Sequence, residues 1–394
     1  MRTFTARRVE MLAPSGIRRV NERALAMERA GERVIHCEIG RPDFDTPEYI
    51  KRAAAKSLNE GEVFYTSNFG LMELREAIAE KLGRENKIAC AAENILVTAG
   101  LSEAVFDLLG TILDEGDELL TPDPVWLNYL NVPALLGARA VSYPLTEANG
   151  FEPDLSDIRQ KITPRTKAIV IVTPSNPTGG VLSREKLEGL AEIAAANDLL
   201  VISDEIYERL VYDGARPTSI ASLPGMAERT VTLNGFSKAY SMTGWRVGYA
   251  AAPKELVAAM NKIHQHNTTC APSFAQRAAL VALRDEKDEV AAMVREYQRR
   301  RDYAVAAING MAGVSCLSPK GAFYIFINVK GLGRPSAEVA EYLLEEAKIA
   351  LVPGDVFGEN GRGYLRMSFA NSLENIAEGC DRMKKAFKEL QEKD

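Results

Sequence analysis

From about residue 50 the chain alternates short apolar runs with stretches of helical period, a pattern that leaves few folds open. ELREAIAEKLGREN sets Leu74, Ile78 and Leu82 on one helical face. SEAVFDLLGTILDEGD sets Val105, Leu108, Leu109, Ile112 and Leu113 at the same spacing, with Gly116 ending it. NILVTAG, DELLTPDP and ARAVSYPL read as short strands meeting turns. KAIVIVTPSNPTGG runs from a buried strand into a Pro/Gly loop, DLLVISDEIYERL ends its strand in an acidic pair, and TVTLNGFSKAYSMTGWRVGYAAA reads strand, loop, strand. Such alternation predicts a largely parallel sheet covered on both faces, with ligands bound beyond the carboxyl ends of its strands. Asn176, Asp204 and Lys238 each come just past a predicted strand end, so the topology sends all three to one crevice.

The flanks differ. The first residues form an arm and an amphipathic helix, Ile17 to Ala30, before the strand-like VIHCEIG. After the sheet the composition turns helical, and a second, smaller pattern follows in GAFYIFINV, AEVAEYLLEEAKIALV, GYLRMSFA and a final amphipathic helix. We expect an arm over 1–47 that packs on the small domain, a large α/β domain over 48–285, and a smaller α+β domain over 286–394.

Composition narrows the function classes. With 48 Lys and Arg against 54 Asp and Glu, the net charge of −6 argues against a nucleic acid as main partner. Cys37, Cys90, Cys270, Cys316 and Cys380 lie far apart without paired spacing, and His36, His264 and His266 show no metal-ligand pattern, so no metal is expected. GRG at 361–363 reads as a turn beside a strand. No apolar run approaches membrane-span length and no secretory signal stands at the start, so a soluble, cytoplasmic protein is expected.

The crevice residues suggest a chemistry. Lys238 sits among small and aromatic residues in NGFSKAYSMTG, and a lysine kept neutral there can attack a carbonyl to form a Schiff base. Asp204 ends a hydrophobic strand, where a carboxylate needs a cation or donor. Asn176 is held between two prolines. Arg246, eight residues past Lys238, offers a fork for phosphate or carboxylate. At TAGLSEAVF a Gly turn opens a helix, an anion site by its free N–H groups, and Trp126 offers a flat face for stacking. Together these parts suit a phosphorylated aromatic aldehyde, pyridoxal 5′-phosphate.

The chain resembles the fold-type I, class I/II pyridoxal-phosphate aminotransferases over nearly its whole length. Eight motifs carry the likeness in family order: IGRPDFDTP (39–47), YTSNFGLMELREAI (65–78), VTAGLSEAVF (97–106), DPVW (123–126), PSNPTGG (174–180), SDEIYE (203–208), GFSKAYSMTGWRVG (235–248) and YLRMSFA (364–370). The resemblance implies that Lys238 binds the cofactor covalently and shuttles the substrate α-proton. It implies Asp204 as partner of the ring nitrogen, Asn176 and Tyr207 as donors to the ring oxygen, and Trp126 as the stacking residue. Gly100 and Leu101 would offer N–H groups to the phosphate, with Arg246 opposite. Tyr65 would reach the phosphate of a neighbouring subunit, which implies a homodimer with shared active sites. Arg366, helped by the Gly40 backbone, would anchor the substrate α-carboxylate.

Two positions depart from relatives. Gly235 stands where some carry a phosphate-binding serine, which leaves Ser237 as the nearby hydroxyl. Ser102 stands where some aspartate-preferring relatives carry lysine, so a distal carboxylate would be read elsewhere, with NTTCAPSF of the partner subunit as candidate. The expected activity is transfer of the α-amino group of an L-amino acid (aspartate, alanine or aromatic type) to a 2-oxo acid such as 2-oxoglutarate, by a ping-pong route. The rivals are a β-eliminating carbon–sulfur lyase on the same scaffold and a non-catalytic sensor. The sensor is disfavoured because residues 1–38 are too short for a fused helix-turn-helix.

Overall fold

A computed structural model describes residues 4–12, 14–285 and 288–392. The strands in chain order are β1 (Ile35–His36), β2 (Ile95–Thr98), β3 (Glu118–Asp123), β4 (Arg139–Pro144), β5 (Thr166–Val172), β6 (Leu200–Asp204), β7 (Thr230–Gly235), β8 (Gly248–Ala251), β9 (Tyr324–Asn328), β10 (Ile349–Ala350), β11 (Val352–Pro353) and β12 (Tyr364–Ser368). Seven of them form the main sheet, in the order β2-β8-β7-β6-β5-β3-β4. Only β8 runs against its neighbours.

The apolar runs work because alternate residues leave a strand on opposite faces. Val170 and Ile202 pack with Val105, Leu108 and Met260 on one side of the sheet. Their neighbours Ile169, Ile171 and Val201 pack with Leu187, Leu190 and Ile193 on the other. Burial on both faces requires near-continuous apolar strands, as the sequence has. Register then fixes the crevice: Val172 pairs with Asp204, and Asp204 with Leu233. The chain therefore leaves β5, β6 and β7 at one level.

A second unit sets β11, β12 and β9 antiparallel and pairs β1 with β10. The helices Glu289–Asn309, Ser336–Glu345 and Leu373–Glu392 supply Tyr297, Val339, Leu343, Met383 and Phe387 to its core. That core also takes in Ile206, Tyr207 and Leu210 from the turn after β6. The turn that carries Asp204 and Tyr207 is thus clamped from both sides. The amphipathic N-terminal helix spans Gly16–Arg29 and buries Ala24 and Met27 against Leu344 and Ala350.

One local expectation is corrected and one element is new. The helix that opens at Leu101 stops at Ile112, and Leu113 is already extended. A helix over Asn128–Leu135 was not legible, because Pro133 inside it reads as a breaker.

Candidate active site

Lys238 lies on the loop beyond β7, half-buried, with its Nζ donating to the Gly40 carbonyl at 2.6 Å. The rings of Tyr207 and Phe323 each lie 5.6 Å from that nitrogen. Burial pushes the amine down to about 8; Arg366 and Arg246 push the same way and Asp204 opposes them. A lysine of ordinary pKa is almost wholly protonated near neutral pH, whereas this one holds a useful neutral fraction there.

Asp204 is 3% exposed at the end of β6. Its Oδ2 accepts from the Tyr129 hydroxyl at 3.0 Å and its Oδ1 from the Ile206 N–H at 3.3 Å. Burial nevertheless wins over these donors and over Lys238, raising the carboxyl to about 6. Trp126 meets Tyr129 edge to face, with centroids 5.9 Å apart.

Arg366, 1% exposed on β12, donates from Nη1 to Oδ1 of Asn176 at 3.0 Å and from Nη2 to the Glu38 carbonyl. Its Nε is buried without a hydrogen-bond partner among the described residues, while the Tyr324 ring packs on the guanidinium at 4.4 Å. Tyr207 and Tyr324 share a hydroxyl–hydroxyl hydrogen bond of 2.8 Å. A Cβ at Gly40 would collide with the Tyr324 hydroxyl, so glycine is what lets Gly40 approach. Lys238, Gly40, Tyr207, Asn176 and Arg366 thus form one contiguous constellation.

The Gly turn lies beside it. Gly100 has φ +85 and caps the helix Leu101–Ile112. Its own N–H donates to the Thr98 carbonyl at 2.8 Å. The first-turn N–H groups that lack an intrahelical acceptor therefore begin at Leu101. The Arg246 guanidinium occupies the space a Cβ at Gly100 would need. Ser237 is half-buried directly before Lys238. Gly235 faces Gly248 across β7 and β8, and a Cβ there would come within 2.8 Å of the Gly248 Cα and 3.0 Å of the Val247 carbonyl. This packing explains the glycine where a serine was looked for. Tyr65 stands apart from the constellation in the single chain, 86% exposed beside the exposed Phe64 and Val63.

Residues 32–383 match the family model described as aminotransferase class I and II. The chain belongs to that family. It is 44% identical over 385 residues to aromatic-amino-acid aminotransferase 2 of Thermococcus litoralis, covering 97% of this chain and 98% of that one. Identity to an aspartate aminotransferase of Pyrococcus abyssi is also 44%, over the same shares. The aspartate aminotransferase of Thermus thermophilus, solved with maleate, superposes with a TM-score of 0.94 at 39% identity, covering 98% of this chain and 100% of that one. The class I/II aminotransferase is accordingly a transaminase with the fold-type I architecture expected.

Two residues of the candidate site were not legible in the sequence. Tyr129 lies on the helix hidden by Pro133, three residues past Trp126, whose carbonyl accepts from the Tyr129 N–H at 3.1 Å in the turn that opens the helix. Tyr324 passed as one more aromatic of an apolar strand, although β9 is the direct neighbour of the Arg366 strand. No helix among the described residues is long and apolar enough to cross a membrane.

Proposed function

We propose that this transaminase uses pyridoxal 5′-phosphate and moves the α-amino group of an L-amino acid, of aspartate, alanine or aromatic type, to a 2-oxo acid such as 2-oxoglutarate. The observation that carries the reading is electrostatic. One half-buried lysine lies within the field of two arginines, and burial first, then Arg366 and Arg246, lowers its pKa. Two anions are invited, one by each arginine: a substrate carboxylate at Arg366, whose buried Nε lacks a partner among the described residues, and a phosphate at Arg246 beside the helix that opens at Leu101. The buried carboxylate of Asp204 suits a protonated ring nitrogen, a cation that would hold it ionised.

When bound, pyridoxal 5′-phosphate supplies an aldehyde for the lysine and a protonated ring that withdraws electrons from the substrate α-carbon. Lys238 would hold the cofactor, and its neutral Nζ, once free, would take the substrate α-proton. Asp204, fixed by Tyr129, keeps the ring nitrogen protonated. Arg366 engages Oδ1 of Asn176, which leaves the amide Nδ2 as the remaining donor; with the Tyr207 hydroxyl it would serve the ring oxygen. Trp126 would cover the ring face, Leu101, Ser237 and Arg246 would hold the phosphate with Gly100 shaping the turn, and Gly40 would serve the substrate carboxylate. The exposed Val63, Phe64 and Tyr65 support a homodimer in which Tyr65 completes the partner's site.

We divide the chain into an arm over 1–47, a large domain over 48–285 and a small domain over 286–394, with the crevice between the last two. Five free cysteines suit a reducing cytoplasm. The test is incubation of the holoenzyme with one amino acid. A single stoichiometric release of 2-oxo acid, renewed only by adding a second 2-oxo acid, supports transfer. Continuing release of pyruvate and ammonia would support elimination instead.

A further inference from the structure

Three ionisable side chains lie sealed behind the Gly100 turn and take no part in the reading above. Glu103 and Asp107, one turn apart on the helix Leu101–Ile112, and His264, on the helix Lys254–Asn267, are all buried. His264 Nδ1 stands 3.0 Å from Oε1 of Glu103 and 3.4 Å from Oδ2 of Asp107. Burial works against charge on the ring, but the two carboxylates, Glu103 by a hydrogen bond and Asp107 by its charge, prevail and lift His264 to about 9. Both carboxylates face the one nitrogen, Nδ1, whose positive charge offsets their joint burial, while Nε2 is buried without a hydrogen-bond partner among the described residues.

The cluster reaches the turn through Glu103. Its other oxygen, Oε2, accepts from the Ala99 N–H. Ala99 lies between Thr98 and Gly100, whose backbone groups are already joined across the turn. One carboxylate therefore connects the histidine to the backbone from which the helix N-terminus springs. The same histidine shapes a second segment, because its carbonyl accepts from the N–H groups of Thr268 and Thr269 at 3.0 Å each. Asn267 donates to Oδ1 of Asp107 at 3.2 Å.

We propose that His264 and Glu103 are positioning residues for the phosphate-binding turn, the histidine acting through the carboxylate and the carboxylate through the Ala99 N–H. Neither touches the ligand. The proposal rests on the reading that the helix opening at Leu101 receives the cofactor phosphate. Loss of Glu103 would leave Ala99 without its charged acceptor and let the turn relax, so the cost falls on phosphate binding in particular.

The experiment compares the binding of pyridoxal 5′-phosphate and of pyridoxal, which lacks the phosphate, to cofactor-stripped protein. For Glu103→Ala the affinity for the phosphorylated aldehyde is expected to fall about tenfold, the scale of one charge-assisted hydrogen bond, with pyridoxal affinity changed less than about twofold. Glu103→Gln, which keeps an oxygen for Ala99, is expected to recover most of the loss. His264→Gln, tested in parallel so that a folding failure of Glu103→Ala does not end the matter, is expected to lower phosphate-dependent affinity in the same way. Equal loss for both ligands, or no loss in a folded variant, would overturn the proposal. Failure of the unaltered protein to bind pyridoxal 5′-phosphate would instead overturn the cofactor reading beneath it.

Discussion

The Tyr129 hydroxyl donates to Oδ2 of Asp204 at 3.0 Å, with both side chains withdrawn from solvent. Tyr129→Phe keeps the ring against Trp126 and deletes only the donor. A buried carboxylate that loses a hydrogen bond to its charged form has a higher pKa. The acidic limb of kcat/KM is therefore expected to move to higher pH, with about a tenfold loss at neutral pH. A pH–rate profile checks it; an unmoved limb would show that Tyr129 does not act on Asp204.

Asp204 itself makes a stability prediction in protein stripped of cofactor. Its folded pKa, about 6, lies above the ordinary value of 3.8, so burying the carboxylate costs stability in full above pH 6. That cost is relieved as pH falls through the window between the two values. Asp204→Asn is thus expected to be more stable than the parent by about 3 kcal/mol near neutral pH, the gap closing by about pH 4. Urea melts at a series of pH values measure it.

Lys238 is pushed down to about 8 by burial first and by Arg366 next. Arg366→Met should raise the amine toward its ordinary range, so borohydride-trapped pyridoxal labelling at Lys238 should shift its midpoint to higher pH. The same variant loses the carboxylate fork, and KM for the amino acid is expected to rise about a hundredfold. Labelling against pH, together with steady-state kinetics, separates the two effects.

The sheet was legible because strands buried on both faces must be nearly all apolar, as KAIVIV and LLVIS are. Lys238, Asp204 and Asn176 were legible because they follow strands whose registers align. Tyr129 was not, since Pro133 masks its helix. His264 was not either: its partners Glu103 and Asp107 are some 160 positions away in sequence and meet it only through helix packing. Spacing rules see neighbours on one element, and contacts between elements escape them.

Gly235 tests a packing argument. With the Gly248 Cα and the Val247 carbonyl both backbone, neither yields readily to a new Cβ. Gly235→Ala and Gly235→Ser should each cost about 2 kcal/mol of stability, alike despite the hydroxyl. Thermal melts of the two variants decide; a serine variant that is stable and binds cofactor more tightly would show that the strands give way.

Every role proposed above depends on Lys238 carrying the cofactor and releasing it to an amino acid. Borohydride reduction followed by peptide mass analysis tests it most directly. A pyridoxyl-phosphate mass is expected on the Lys238 peptide, lost when a donor amino acid is added before reduction and restored by a 2-oxo acid. A label on another lysine, equal labelling of Lys238→Ala, or indifference to the amino acid would contradict it.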